Sequence, residues 1–190
     1  MKRVSLGVFM VLLCGLHGCY WFEETIIQVF PKDKIAKYYL NNIISAPARE
    51  NEPTPKERAA EDYAQFMDNW EHNIKEVVFD VSFDSVLFKE LKVEHHKLNA
   101  TVILHYTKLT NLDDSSHPGF LLWKLDDEYP ISHNGTVVTF NGSKYIQWPA
   151  DTEKFVIKYT TASRKELRKR RVYIRLAPFY LEQHKSTSVR

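Results

Sequence analysis

Glycine and cysteine are scarce in this chain of 190 residues, which holds six of the first and two of the second. Gly7, Gly15 and Gly18 fall within the first eighteen residues, so only Gly119, Gly135 and Gly142 remain for the rest of the chain. A phosphate-cradling loop needs several glycines within a few residues, so that successive backbone N–H groups can close on the anion. Three isolated glycines cannot build one, which excludes P-loop and dinucleotide-fingerprint functions. Two cysteines cannot make a disulfide framework or a multi-thiolate zinc site. No Gly-x-Ser-x-Gly elbow occurs. No uninterrupted apolar run reaches the roughly 20 residues that a membrane-spanning helix needs. At 44% hydrophobic and 26% charged, the chain has ordinary globular composition. Its length suits one domain with a real core and falls short of two full-sized ones.

What is present begins at the N-terminus. Lys2 and Arg3 precede an apolar run from Val4 to Leu13, the charged and hydrophobic regions of a secretory signal. The run leads to Leu16-His17-Gly18-Cys19. These residues resemble the lipobox of bacterial lipoprotein precursors, with His17 where a small residue is usual. The resemblance implies cleavage before Cys19, acylation of its thiol with lipid such as palmitate, and usually acylation of the new amine. The chain then divides into a cleaved signal at 1–18, a lipidated cysteine and tether at 19–30, and a single domain at 31–190. Several acyl chains, each methylene contributing about 0.8 kcal/mol when buried, would anchor the protein stably. Tyr20 is not the Asp that retains enteric lipoproteins in the inner membrane. The resemblance therefore implies the outer membrane, with the domain facing the periplasm. Tyr20, Trp21 and Phe22 suit either the headgroup region or a core. Cys14 leaves with the signal and Cys19 is capped, so the mature domain keeps no thiol.

Removing Lys2 and Arg3 brings the mature chain to formal neutrality, but the neutrality hides an asymmetry. Residues 164–190 carry nine Lys/Arg and two Glu, whereas 19–163 carry fifteen Lys/Arg and twenty-two Asp/Glu. The densest cations are Arg164, Lys165, Arg168, Lys169, Arg170 and Arg171, six in eight residues. Such a segment makes a local positive potential. Anionic headgroups or an acidic face of an envelope protein suit it. Nucleic acid is not an expected partner of a lipoprotein outside the cytoplasm. The plain alternative is a solvated loop balanced by the acidic body.

Hydropathy periods give the expected fold. Residues 26–30 read as a short strand or extended lead-in. Ile35, Tyr38, Tyr39 and Ile43 suggest a helix over 33–45. Thr54, Pro55 and Glu57 form a capping box for a helix over 55–75, striped by Ala59, Tyr63, Phe66, Met67, Trp70 and Ile74. After Glu76 the period becomes two. Asn134-Gly135 and Asn141-Gly142 are both type I′ hairpin signals. The expectation is α+β: two N-terminal helices packed on a curled or two-layer antiparallel meander of seven or eight strands.

Chemical motifs in the mature chain are weak. In Glu94-His95-His96 the two imidazoles of a strand would face opposite ways, so they cannot share a metal. Glu94 and His96 would share a face, with His105 on a neighbouring strand, but solvated polar residues suit the pattern better. Asp126, Asp127 and Glu128 read as a solvated turn. Asn99, Asn134 and Asn141 match the sugar-acceptor pattern, two of them already used by turn chemistry. No catalytic residue, metal ligand or cofactor site is expected. A non-enzymatic, membrane-anchored binding module is the leading reading. The alternative is a small-ligand or enzymatic domain with a pocket between helix and sheet. Helices ahead of a curled sheet, with Asn99-Ala-Thr-Val-Ile-Leu and Trp123-Lys-Leu, loosely resemble the cone-shaped NTF2-like fold. A transthyretin-like sandwich of the kind found in secretion-system lipoproteins is a third option, which the expected helices disfavour.

Overall fold

A computed structural model describes residues 20–45, 55–79, 81–114, 117–125, 131–160 and 174–187. Alternation of period two dominates them. The strands are β1 (Tyr20–Phe30), β2 (Ile35–Ser45), β3 (Val81–Glu94), β4 (Lys97–Leu109), β5 (Leu112–Asp113), β6 (Phe120–Lys124), β7 (Ile131–His133), β8 (Thr136–Phe140), β9 (Ser143–Pro149), β10 (Phe155–Thr160) and β11 (Ile174–Arg175). The helices are α1 (Pro55–His72) and α2 (Ala177–Thr187), with a 3₁₀ turn at Ile74–Glu76 after α1. One sheet runs β3-β4-β2-β1-β10-β7, with β11 paired to the end of β2. The other runs β5-β6-β9-β8, and the pairings are antiparallel throughout.

This is a mostly-β architecture, and it overturns the α+β expectation. Residues 35–45 form β2, so two N-terminal helices do not pack on the sheet. Burial in β2 falls on Ala36, Tyr38 and Leu40, a period of two. The residues that suggested a helix are β-branched or aromatic, types that fit a pleated surface better than a helix. Tyr20–Phe30 supplies a partner across a tight turn in which Lys34 takes φ 54°. The second helix lies at the C-terminus. Nor is the sheet a meander: β1 lies between β2 and β10, and β2 between β1 and β4.

The core grows from cross-strand rows on one face. Ile157, Ile27, Tyr38 and Val102 form one row, and Phe155, Val29, Ala36 and Leu104 the next. All eight are fully buried or within 2% of it. Helix α1 carries the expected stripe. Ala59, Tyr63, Phe66 and Trp70 are buried, while Met67 lies partly buried beside them, as does Ile74 in the 3₁₀ turn. Thr54, the expected cap, lies outside the described residues. Trp123, Ile146 and Trp148 of the second sheet join the same core. Trp148 stacks on Phe155 at 4.5 Å, and Trp123 Nε1 donates to the Tyr159 hydroxyl at 2.9 Å.

The two Asn-Gly pairs part ways. Asn141 and Gly142 take φ 49° and 78° and join β8 to β9 as a two-residue turn, as expected. Asn134-Gly135 is instead the corner where the chain leaves β7 in one sheet and enters β8 in the other. Asn134 Oδ1 accepts hydrogen bonds from Trp148 Nε1 and the Val156 backbone N–H, both at 2.9 Å. A Cβ on Gly135 would sit 2.6 Å from Ile146 Cγ2 and from the Trp148 ring.

Candidate functional site

Cys19 and the cations Arg164, Lys165, Arg168, Lys169, Arg170 and Arg171 lie outside the described residues, as do Asp126, Asp127 and Glu128. Their flanks are described, and the sheet brings those flanks together. Tyr20, the residue after Cys19, opens β1 and pairs with Ser45, the last residue of β2. Ser45 in turn pairs with Ile174, which opens β11. Thr160, the last residue of β10, pairs with Glu24. Tyr20 and the residues that flank 161–173, Thr160 and Ile174, therefore lie toward one end of the first sheet.

The side chains at that end are firmly held. The Tyr20 ring packs edge-on against Phe66 at 5.1 Å and Phe22 at 5.8 Å. Its hydroxyl donates to the Glu76 carbonyl at 3.2 Å and accepts from Asn69 Nδ2 at 3.1 Å. Burial pushes the Tyr20 phenol above its ordinary pKa, against the opposing pull of the Asn69 hydrogen bond. Tyr20 and Phe22 thus pack against the core. Trp21, between them in the strand, alternates to the other side and stays half-buried.

A polar network follows Trp21. Asn42 Nδ2 donates to Glu23 at 2.8 Å, and Lys97 Nζ reaches the same carboxylate oxygen at 3.1 Å. Asn41 Nδ2 donates to Glu24 at 3.0 Å, and Lys158 forms an ion pair with Glu24. Asn99 Oδ1 accepts the Asn42 backbone N–H at 2.9 Å. Asn42 has φ 54°, and the alternation of burial resets there, since Ile43, Ile44 and Ser45 are all buried. Nearby, Lys92 meets Glu94 at 2.6 Å, which holds the Glu94 carboxyl below the usual range. Each of these three lysines faces a carboxylate.

The histidines do not converge. His95 and His96 are the two-residue turn between β3 and β4, at φ 50° and 61°, rather than strand residues on opposite faces. His105 lies farther along β4, where its Nδ1 stands 2.9 Å from Asp84 Oδ1. That hydrogen bond lowers the Asp84 pKa. Among the described residues no group of three His, Cys, Asp or Glu side chains could hold a metal ion.

Among the described residues, Asp62 is the fully buried acid. It accepts from Ser45 and meets Arg58 Nε at 3.2 Å, which ties α1 to the end of β2. The helix–sheet interface is filled by Phe66, Trp70, Tyr38 and their neighbours. An open groove of about 460 Å³ lies instead between the helices, lined by Tyr63, Met67, Phe179 and Gln183. The Tyr63 hydroxyl donates to Gln183 there at 2.6 Å, and burial pushes its pKa to about 12.

No family model, curated protein or solved structure matches the chain. The network of Glu23, Glu24, Asn41, Asn42, Lys97 and Lys158 escapes a sequence reading that treats 33–45 as helix. The pairs Glu23-Glu24 and Asn41-Asn42 become legible only once β1 and β2 are aligned as a hairpin.

Proposed function

We propose that the chain is a bacterial outer-membrane lipoprotein, anchored through acylated Cys19, that acts as a non-enzymatic binding module in the envelope. Its basic segment, Arg164, Lys165, Arg168, Lys169, Arg170 and Arg171, engages an anionic headgroup or an acidic face of an envelope protein. The observation that carries this reading is Leu16-His17-Gly18-Cys19 behind a basic and apolar leader. Cys19→Ala should abolish labelling by radioactive palmitate, and retained label would overturn the anchor. Arg168→Glu, Arg170→Glu and Arg171→Glu together should weaken binding to phosphatidylglycerol vesicles by roughly a hundredfold or more, since each cation contributes about 1 kcal/mol near such a surface. Unchanged binding would reduce the segment to a solvated loop.

A further inference from the structure

We propose that β3 is a self-association edge: a second copy of the chain pairs antiparallel with it through residues 88–94, with Leu91 on the two-fold axis. The proposal is independent of the anchor reading. Among the described residues β3 pairs with β4 alone, so a strand of 14 residues has one open edge. An open edge presents unpaired N–H and C=O groups that another strand can take up. The register shift between Val86 and Phe88 closes the N-terminal part of that edge to regular pairing, which leaves 88–94 as its regular stretch.

Two constraints select the register, and the first is hydrogen bonding. Glu94 pairs with Lys97 across the His95-His96 turn, and the closing pair of a two-residue hairpin exchanges hydrogen bonds. Back along the ladder, residues 94, 92, 90 and 88 therefore turn their backbone groups toward β4. Lys89, Leu91 and Val93 turn theirs outward, so a second β3 must meet the first odd residue to odd residue. The second constraint is charge. Three symmetric registers satisfy the first and keep at least five residues of 88–94 paired. Centred on Glu90, the pairing sets that carboxylate against its own copy. Centred on Lys92, it opposes two ammonium groups and puts Glu90 across from the partner's Glu94. Centred on Leu91, it sets Glu90 across from the partner's Lys92, and Lys92 across from the partner's Glu90. These are non-hydrogen-bonded positions, where facing side chains stand closest. Lys92 is exposed and already meets Glu94 at 2.6 Å, so the pairing places its ammonium between two carboxylates. The same register uses the apolar residues that β3 leaves in water. Val86, Leu87 and Phe88 are 39%, 54% and 45% exposed. Phe88 falls across from the partner's Glu94, and the turn that follows Glu94 in the partner runs alongside Leu87 and Val86. A pairing of seven residues is small beside a standard interface, so the dimer is a reversible one.

The test is sedimentation equilibrium of the full chain in dilute detergent over a range of protein concentrations. A monomer–dimer equilibrium is expected, and a monomer at every concentration would overturn the proposal. Glu90→Lys and Lys92→Glu each put like charges across from one another twice, and each should weaken dimerisation roughly tenfold or more. Unchanged dimerisation in either variant would overturn β3 as the contact. Glu90→Lys combined with Lys92→Glu in one chain restores opposite charges and should dimerise again. An equimolar mixture of the two single variants should also dimerise, as a heterodimer, which misfolded chains could not do. Failure of either rescue would overturn the register centred on Leu91.

Discussion

At the scale of single residues, the sheet-to-sheet corner turns on two adjacent positions. Asn134 satisfies Trp148 and the backbone of Val156 with one oxygen, and Gly135 lets the chain pass against Ile146 and Trp148. Its requirement is space rather than a left-handed backbone. Gly135→Ala should therefore destabilise the fold by about 1–3 kcal/mol through overpacking, because the neighbours are a buried isoleucine and indole with little room to yield. A fall in the urea midpoint at unchanged slope would register this. Gly142→Ala acts differently, since nothing lies within 4 Å of its would-be Cβ and the cost is the φ of 78° alone. Asn42 and Asp62 show the same economy, each a buried polar residue that joins segments through named partners.

At the scale of elements, β3 and its turn are the least ideal pieces. Val86 and Phe88 pair with Leu104 and Ile103, consecutive positions on β4, so Leu87 is an extra residue in the strand. Alternation shifts there, and Val86, Leu87 and Phe88 are all exposed. Such bulges also blunt an edge strand against pairing with other chains. The turn that follows asks two histidines to take left-handed φ, a conformation that costs non-glycine residues roughly 1–2 kcal/mol each and that Asn-Gly accepts readily. Replacing His95→Asn together with His96→Gly should stabilise the protein by about 1 kcal/mol, read as a higher thermal midpoint. Elements with long, consistent patterns were legible from sequence: the α1 stripe, the alternation of β4, β9 and β10, and the Asn141-Gly142 turn. Helix α2 was not, although Pro178 stands in its first turn, because Leu181 to Lys185 are exposed and leave no apolar stripe along the helix. The β2 error has a physical source. Ile35, Tyr38, Tyr39 and Ile43 satisfy a helical spacing by chance, and only pairing with β1 and β4 decides between the two periods. Leu16-His17-Gly18-Cys19 and the basic segment are properties of sequence alone, whereas the shared end of the sheet at Tyr20, Thr160 and Ile174 comes from strand registers between residues far apart in the chain.

At the scale of the molecule, one core serves both sheets and α1, so buried titratable groups report on the whole fold. Burial pushes Tyr63 and Tyr106 to about 12 each, with repulsion from Tyr180 and Asp114 adding to the respective shifts. An unfolded tyrosine titrates near 10. The folded values are raised, so the stabilisation from keeping these phenols neutral is fully present below about pH 10. It is lost as pH climbs from 10 towards 12. Phenolate absorbance should show these two rings ionising after the exposed ones, together with cooperative unfolding in that window. Full ionisation of Tyr63 and Tyr106 near pH 10 in the folded state would contradict it. Strand β1, finally, has a neighbour along each edge: β2 over its whole length and β10 over residues 24–29. A force applied at residue 20 along the strand loads both ladders in shear, so their hydrogen bonds must give way together rather than unzip in turn. The fold thus offers a strand clamped along both edges to whatever pulls on its N-terminal end.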